Sequence, residues 1–323
     1  MTGGAGFIGS ELVRQLAERN VDVVVVDNLV NGRRENLADV PADRCRLRVA
    51  DVRDAAAMAD AVAGVDLVFH LACLGVRHSI HSPRENHDVN ATATLGLLTA
   101  ARTAGVRRFV YVSSSEVYGT ARRVPMDETH PTFPTTVYGA SKLAGECYSR
   151  AFCSTYGYPT VVVRPFNAFG PRCHHEGDSG EVIPKFLLRA LAGRPLVVFG
   201  DGTQTRDFTF VSDTAAGILA AGLTDAAVGE TINVGSGLSV SIGELAKAVG
   251  RVTGRPVDIS YDEPRPGDVH DLCADTTKAS ALLRCAPTVT LEDGLRRLLA
   301  WYSASGADAG ELLANDRVRN WIA

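Results

Sequence analysis

Short apolar runs alternate with longer segments of helical period along the first half of the chain. Near-continuous apolar runs are typical of parallel strands buried on both faces, and the segments between them have the length of covering helices. The alternation predicts an α/β fold with a doubly wound parallel sheet. The predicted strands are Val21–Asp27, Val65–Leu71, Arg108–Ser113 and Thr160–Arg164, and the predicted helices are Ile8–Arg19, Asp88–Ala104 and Tyr138–Tyr156.

The pattern changes after Gly170. A polar, loop-like stretch, Pro171–Gly180, is followed by the amphipathic segment Glu181–Ala192 and by a short apolar run, Leu196–Phe199. Mixed elements continue to the end of the chain. We therefore predict two domains, residues 1–170 and residues 171–323, of which the second is the smaller and returns some segments to the first sheet.

Size and composition exclude several classes of protein. At 323 residues the chain can bury a large core without disulfide or metal support. Its 33 basic and 37 acidic residues give a net charge of -4, without the basic excess that binds nucleic acid. No apolar run approaches the ~20 residues that span a bilayer. The seven cysteines are scattered and form no CxxC pair, which indicates reduced thiols and a cytoplasmic protein.

A GxxGxxG pattern, Gly3 to Gly9, opens the first predicted helix. Glycines at these positions let the backbone approach a pyrophosphate, and a helix N-terminus offers it free N–H groups. The next strand ends at Asp27, where a carboxylate can accept hydrogen bonds from an adenosine ribose and repel a 2′-phosphate. The pattern predicts a site for NAD rather than NADP.

Tyr138 and Lys142 stand four residues apart and therefore share one face of a predicted helix. A phenol that titrates near 10 is a poor base at neutral pH. A neighbouring ammonium, together with the positive nicotinamide ring, stabilises the phenolate and brings its pKa toward the working range. Ser114 ends a strand upstream, where its hydroxyl can bond the reacting oxygen. We expect Tyr138 to act as a base.

In this order the motifs resemble those of the extended short-chain dehydrogenase/reductases, and among them the nucleotide-sugar epimerases and dehydratases. The resemblance extends through His70 to Ala72, Asn90, Arg164 to Asn167, Thr205 to Phe208 and Arg265 to Asp268. It implies a Rossmann-type sheet, a carboxy-terminal domain that binds a nucleotide sugar, and a homodimer. Because the family precedes its glycine turn with a complete strand, the first strand is expected to be truncated here and the natural chain to be several residues longer.

The resemblance also implies roles for individual residues. Tyr138 is the base, Lys142 holds the nicotinamide ribose, Ser114 steadies the substrate hydroxyl, and Asp51 and Val52 meet the adenine. The other NAD contacts are expected at Gly3, Gly6, Phe7, Ile8, Gly9, Asp27, Asn28, Leu71, Ala72, Asn90 and Pro165. Substrate contacts are expected at Arg77, Ser115, Asn167, Val182, Val197, Phe199, Arg206 and Arg265.

The implied reaction starts with hydride transfer from sugar carbon 4 to NAD while Tyr138 removes the hydroxyl proton. A bound 4-keto sugar results, and the second half-reaction decides the product. Ser115 replaces the acid that dTDP-glucose-type dehydratases carry there, whereas Glu116 keeps a base for 4,6-dehydration and matches UDP-glucuronate decarboxylases. We expect a 4-epimerase first, with Glu116-dependent dehydration and decarboxylation as open alternatives.

Two functions of a different class also remain open. A non-catalytic NAD sensor could keep the fold, although the intact pair of Tyr138 and Lys142 argues against it. An NADPH-dependent ketone reductase would usually carry a basic residue in place of Asp27. No metal is expected: the stretch Arg172–Asp178 holds two histidines, but adjacent ligands rarely reach one tetrahedral ion.

Overall fold

The computed structural model of the protein describes residues 1–264 and 269–319. Its strands are β1 (Val23–Asp27), β2 (Cys45–Val49), β3 (Leu67–His70), β4 (Arg108–Val112), β5 (Thr160–Pro165), β6 (Asn167–Phe169), β7 (Leu196–Phe199), β8 (Thr205–Arg206), β9 (Phe208–Phe210), β10 (Thr231–Val234), β11 (Val240–Ser241) and β12 (Ile259–Asp262). Its α-helices are α1 (Phe7–Ala17), α2 (Ala55–Val62), α3 (Val76–His81), α4 (Pro83–His87), α5 (Ala93–Thr103), α6 (Val137–Tyr156), α7 (Val182–Leu191), α8 (Val211–Leu223), α9 (Ile242–Thr253), α10 (Thr277–Leu283), α11 (Leu291–Ala304) and α12 (Ala309–Leu312).

The central sheet is parallel. β1 pairs with β2, and β3, β4, β5 and β10 pair in sequence. Thr2 bridges both Val26 of β1 and His70 of β3, and its N–H donates to the carbonyl of Phe69 at 3.0 Å. The segment Met1–Gly3 therefore occupies the place of a first strand. The resulting order, β2-β1-(1–3)-β3-β4-β5-β10, is the doubly wound order of dinucleotide-binding folds.

Helices cover both faces of this sheet because alternate strand residues point to opposite sides. Phe109 and Tyr111 of β4 pack among α2, α5 and α6, and Val110 and Val112 pack against α1 and α8. All six residues of β5 are buried. The sequence analysis predicted these inner strands correctly, with ends that differ by one or two residues.

The predicted helix Asp88–Ala104 contains an irregularity. It begins with a π-helical turn, Asp88–Thr92, and continues as α5. Asn90 lies within that turn, and its side chain bonds both backbone groups of Leu74 at 2.9 Å. The turn thus ties the helix to the chain that leaves β3.

A second group of elements packs beside the carboxyl edge of the sheet. β7 pairs with β12 in parallel, β6 pairs with β9, and β8 pairs antiparallel with β11. Their core brings together α7, α9 and α11 through buried residues such as Leu187, Leu245 and Leu298. β10, in contrast, joins the central sheet beside β5. The domain boundary at residue 170 stays a prediction.

Candidate active site

A cavity of about 750 Å³ lies between the carboxyl ends of the central strands and the second group of elements. Ligands of open α/β sheets bind in this position. The cavity is lined by most of the residues that the sequence analysis expected at a site: Gly3, Gly6, Phe7, Ile8, Gly9, Asp27, Asn28, Val52, Leu71, Ala72, Arg77, Ser114, Ser115, Glu116, Tyr138, Lys142, Pro165, Asn167, Val182, Val197, Phe199 and Arg206.

The glycine-rich turn forms a cradle that side chains would fill. Gly3 has φ +69°, and a Cβ there would lie 2.6 Å from the backbone nitrogen of Ala72. A Cβ on Gly9 would lie 2.1 Å from the carbonyl oxygen of Gly3. Gly6 begins α1 without a side-chain cap, so the first N–H groups of that helix remain for a ligand. This geometry fits the pyrophosphate of a dinucleotide.

Asp27 ends β1 at the wall of the cavity and is 7% exposed. Its Oδ2 accepts the N–H of Ala5 at 3.0 Å, and its Oδ1 accepts the N–H of Leu29 at 2.9 Å. A Cβ on Gly32 would lie 2.7 Å from Oδ1, so the chain approaches this carboxylate closely. These contacts fix the carboxylate where an adenosine ribose would meet it.

Two expected NAD contacts, Asp51 and Asn90, do not line the cavity within the described residues. Asp51 is bound to the Arg53 guanidinium at 2.8 Å and to the Asn28 amide at 3.0 Å, and these hydrogen bonds lower its pKa well below the usual range. Asn90 is buried against Leu74. Both residues support the cavity wall, and their contact with a cofactor stays a prediction. Arg265 lies outside the described residues.

Helix α6 carries Tyr138 and Lys142 into the cavity. The Thr136 hydroxyl caps the helix by accepting the N–H of Gly139 at 3.1 Å. The Lys142 ammonium donates to the carbonyl of Val112, at the end of β4, at 2.5 Å. Ser114 follows β4 and lines the same cavity as Tyr138. The predicted Tyr, Lys and Ser therefore meet where β4 ends beside the first turns of α6.

Charges around Tyr138 oppose its ionisation. Burial raises the pKa of the phenol well above its usual range, and the negative charges of Glu116 and Glu181 act in the same direction. The hydrogen bond with Ser114 lowers the pKa. The protein's own groups thus favour the neutral phenol, so the positive charge of an oxidised nicotinamide ring is needed to bring the phenolate into range.

The other end of the cavity presents the residues expected to hold a nucleotide sugar. In β7 the side chains alternate, so that Val197 and Phe199 face the cavity while Leu196 and Val198 enter the core. Arg206 is held toward the cavity by the carbonyl of Thr205 at 2.7 Å. A guanidinium in this place suits a diphosphate.

Asn167 supplies a further indication that this end binds a ligand. Its Oδ1 is buried and has no hydrogen-bond partner among the described residues, although the side chain lines the cavity. Buried polar atoms are nearly always hydrogen-bonded. A substrate that donates to this oxygen would satisfy it.

The histidine-containing loop, residues 172–178, reaches the cavity through His174. Burial lowers the pKa of His174, so the ring is neutral at pH 7. Glu176 pairs with Arg33, and Arg172 pairs with Asp39 at 2.7 Å, which ties the loop to the chain after β1. In the described part of the chain, no three His, Cys, Asp or Glu residues are grouped so that they could hold a metal ion.

Glu181 is one of several titratable residues that line the cavity but were not predicted from the sequence. It lies at the start of α7 and lines the cavity. Burial raises the pKa of its carboxyl from 4.5 to about 7, and the positive charge of Arg77 opposes that shift. The only sequence signal was its position before an amphipathic helix, where a side chain commonly caps the helix.

Together, the glycine cradle, the fixed Asp27 carboxylate and the Tyr–Lys pair define a dinucleotide-dependent enzyme that oxidises or reduces an oxygen-bearing carbon. Comparison with known proteins agrees with this class. Residues 1–235 match the NAD dependent epimerase/dehydratase family. The UDP-glucose 4-epimerase of Mycolicibacterium smegmatis is 37% identical over 307 residues, which cover 94% of this chain and 97% of that protein.

Solved structures give the same result. The Thermotoga maritima UDP-glucose 4-epimerase with UDP-glucose has a TM-score of 0.89 and 32% identity, covering 95% of this chain and 98% of that one. DesIV of Streptomyces venezuelae, a dTDP-glucose 4,6-dehydratase with NAD bound, has a TM-score of 0.88 and 34% identity, covering 94% and 96%. The chain belongs to the NAD-dependent epimerase/dehydratase family and is an NAD-dependent enzyme. None of its described helices has the length and apolar character of a membrane span.

Proposed function

We propose that the protein is a nucleotide-sugar 4-epimerase that oxidises C4 of a hexosyl group and reduces it again on the other face. The observation that carries this proposal is the arrangement around Tyr138. One phenol on α6, which shares the cavity with Ser114 and Lys142, provides a base at a single carbinol. Ser115 stands beside it in place of an acid that would expel a neighbouring hydroxyl.

The residues of this chain have distinct tasks in the proposed reaction. NAD, when bound, would supply the acceptor and then the donor of the C4 hydride. Ser114 orients the C4 hydroxyl, and Tyr138 takes its proton. Lys142, anchored on the carbonyl of Val112, holds the nicotinamide ribose. Tyr138 returns the proton to the oxygen when C4 is reduced.

The substrate proposed is a UDP-hexose. The two UDP-glucose 4-epimerases named above support this choice. Val197, Phe199 and the cation Arg206, which line the cavity, support it as well. An aromatic side chain suits a base, and guanidinium suits a diphosphate. Chromatography of UDP-glucose incubated with the enzyme tests this: UDP-galactose is expected, and failure to convert any UDP-hexose would contradict it.

A second candidate, 4,6-dehydration, is favoured by Glu116. This carboxylate lines the cavity and its charge acts on Tyr138. It could remove a proton next to the 4-keto group, as a dehydratase requires. Product mass separates the candidates, because dehydration removes one water and decarboxylation one carbon dioxide, whereas epimerisation leaves the mass unchanged.

We also propose a homodimer formed through α5 and α6 in the cytoplasm. Leu95 of α5 is 40% exposed and Tyr156 of α6 is 51% exposed, so both helices offer apolar surface to a partner. The cysteines Cys45, Cys73, Cys147, Cys153, Cys173, Cys273 and Cys285 are all free, which suits a reducing compartment. Light scattering on the purified protein should give twice the mass of one chain, and cell fractionation tests the compartment.

A further inference from the structure

We propose that the Glu181 carboxylate accepts a hydrogen bond from a sugar hydroxyl next to C4 and so selects neutral hexoses over uronic acids. This inference rests on the proposed function and adds a residue that determines specificity for the sugar. It concerns substrate choice, whereas Tyr138 concerns the chemistry itself. Glu181 lines the cavity from the start of α7, whereas Tyr138 lines it from α6.

The bonding of Glu181 is the first argument. Glu181 is the N-cap residue of α7, directly before Val182, yet its side chain does not cap the helix. Among the described residues, no donor hydrogen-bonds its carboxylate, and the positive charge of Arg77 acts on it. Glu181 is partly buried at the wall of the cavity, so its carboxylate faces the space that a ligand would fill. A hydroxyl donor from a ligand there would replace the water that solvates it.

The position of Glu181 relative to the reacting atoms is the second argument. Glu181 and Tyr138 line the same cavity, and the negative charge of Glu181 acts on the phenol. In the proposed reaction that phenol touches the C4 hydroxyl. The sugar groups nearest to Glu181 are therefore those on the neighbouring carbons, the hydroxyl on C3 and the hydroxymethyl on C5.

Charge balance is the third argument. Above pH 7, where the Glu181 carboxyl is mostly ionised, Glu116 and Glu181 place two carboxylates in the cavity, which Arg77 also lines. A neutral hexose offers hydroxyl donors to these carboxylates. A uronic acid instead brings another negative charge beside them, and like charges at short range in a buried site repel strongly. The site therefore favours a hydroxymethyl group over a carboxylate on C5.

The test compares wild-type enzyme and Glu181→Gln with UDP-glucose, UDP-galactose and UDP-glucuronate. Glutamine keeps the volume and one acceptor oxygen but removes the charge. We expect kcat/KM for the two hexoses to fall at least tenfold, and the preference for hexose over glucuronate to fall at least tenfold. The content of bound NAD and the affinity for UDP, which has no sugar, should not change, which shows that the variant is folded.

Glu176→Gln is the matched control, because Glu176 lies five residues earlier, outside the cavity lining, and pairs with Arg33. This variant should keep the wild-type substrate preference. An unchanged preference in Glu181→Gln, with an active wild-type enzyme, would overturn the inference and leave the proposed function standing. A wild-type enzyme that converts no nucleotide sugar would overturn both. Loss of water from the hexose would also overturn the inference, since Glu181 would then be a candidate proton donor.

Discussion

Glu146 and Arg164 form a buried two-pronged ion pair beneath the active site, with Nε to Oε1 at 2.8 Å and the second guanidinium nitrogen to Oε2 at 2.6 Å. Glu146 lies one turn beyond Lys142 on α6. It also accepts the hydroxyl of Ser113, at the end of β4, at 2.6 Å. The pair therefore joins α6, β4 and β5 at the point from which Ser114 and Lys142 extend.

Replacing Glu146 by glutamine should destabilise the fold by about 3 kcal/mol, because it leaves the Arg164 guanidinium buried without a counter-charge. Arg150, which pairs with Glu146 from a side chain that is 40% exposed, provides the control. Arg150→Gln should change stability by less than about 1 kcal/mol. Urea unfolding of both variants measures this, and equal losses would contradict a special role for the buried pair.

Replacing Tyr138 by phenylalanine should lower turnover about 10²–10⁴-fold, because the group that exchanges a proton with the C4 hydroxyl is removed. Bound NAD should remain. Tyr148→Phe is the control, since Tyr148 lies on the same helix but packs in the core rather than lining the cavity. The assay is product formation by the NAD-containing enzyme. Turnover near the wild-type rate in Tyr138→Phe would remove Tyr138 from its assigned role.

A methyl group at Gly9 should disrupt the dinucleotide cradle. The Cβ of Gly9→Ala would meet the Gly3 carbonyl oxygen at 2.1 Å, so the turn must move. We expect at least a tenfold loss of bound NAD and a stability loss of about 3 kcal/mol. Gly243→Ala, in α9 with the nearest heavy atom 3.5 Å from the new Cβ, should instead change stability by less than about 1 kcal/mol. Full NAD occupancy in Gly9→Ala would contradict the assignment of the glycine-rich turn as the dinucleotide site.

Glu181 should also make stability depend on pH. Its carboxyl pKa is raised from 4.5 to about 7, so between these values the folded protein binds more protons than the unfolded chain. Stability contributed by this group is therefore highest below pH 4.5 and is lost as pH rises to 7. The free energy of unfolding of Glu181→Gln, relative to that of wild type, should therefore rise by up to about 3 kcal/mol as the pH is raised from 4.5 to 8.

Urea unfolding of the two proteins without nucleotide sugar, at pH 5 and at pH 8, isolates this contribution because other groups titrate alike in both. If the difference in free energy of unfolding between the two proteins is the same at both pH values, the pKa of Glu181 is not raised by folding. The cavity wall would then not perturb this carboxylate.

The sequence predicted the inner strands of the sheet because burial on both faces leaves near-continuous apolar runs. It did not reveal β2, which lies at the sheet edge, alternates charged and apolar residues, and is half-exposed. Nor did it reveal β10, a four-residue strand whose Asn233 is buried. The Asn233 side chain bonds Tyr118 at 2.7 Å and the carbonyl of Met126 at 2.9 Å, and such distant partners leave no local pattern.

The residues of the site can likewise be divided into those that the sequence predicted and those that it did not. The glycine turn and the pair of Tyr138 and Lys142 follow from local spacing, because each depends on one turn or one helix face. Glu146 and Glu181 do not, because their significance comes from tertiary contacts with Arg164 and with the cavity around Tyr138. A carboxylate in a helical segment is, in sequence terms, most simply a solvated one.

The most direct test of transient C4 oxidation uses UDP-glucose labelled with deuterium at C4, incubated in ordinary water with the purified enzyme and no added NAD. The account predicts UDP-galactose of unchanged mass that retains deuterium at C4, because the same hydrogen is removed and returned. Loss of the label to solvent, loss of water or carbon dioxide, or no conversion of this or any other nucleotide hexose would contradict it.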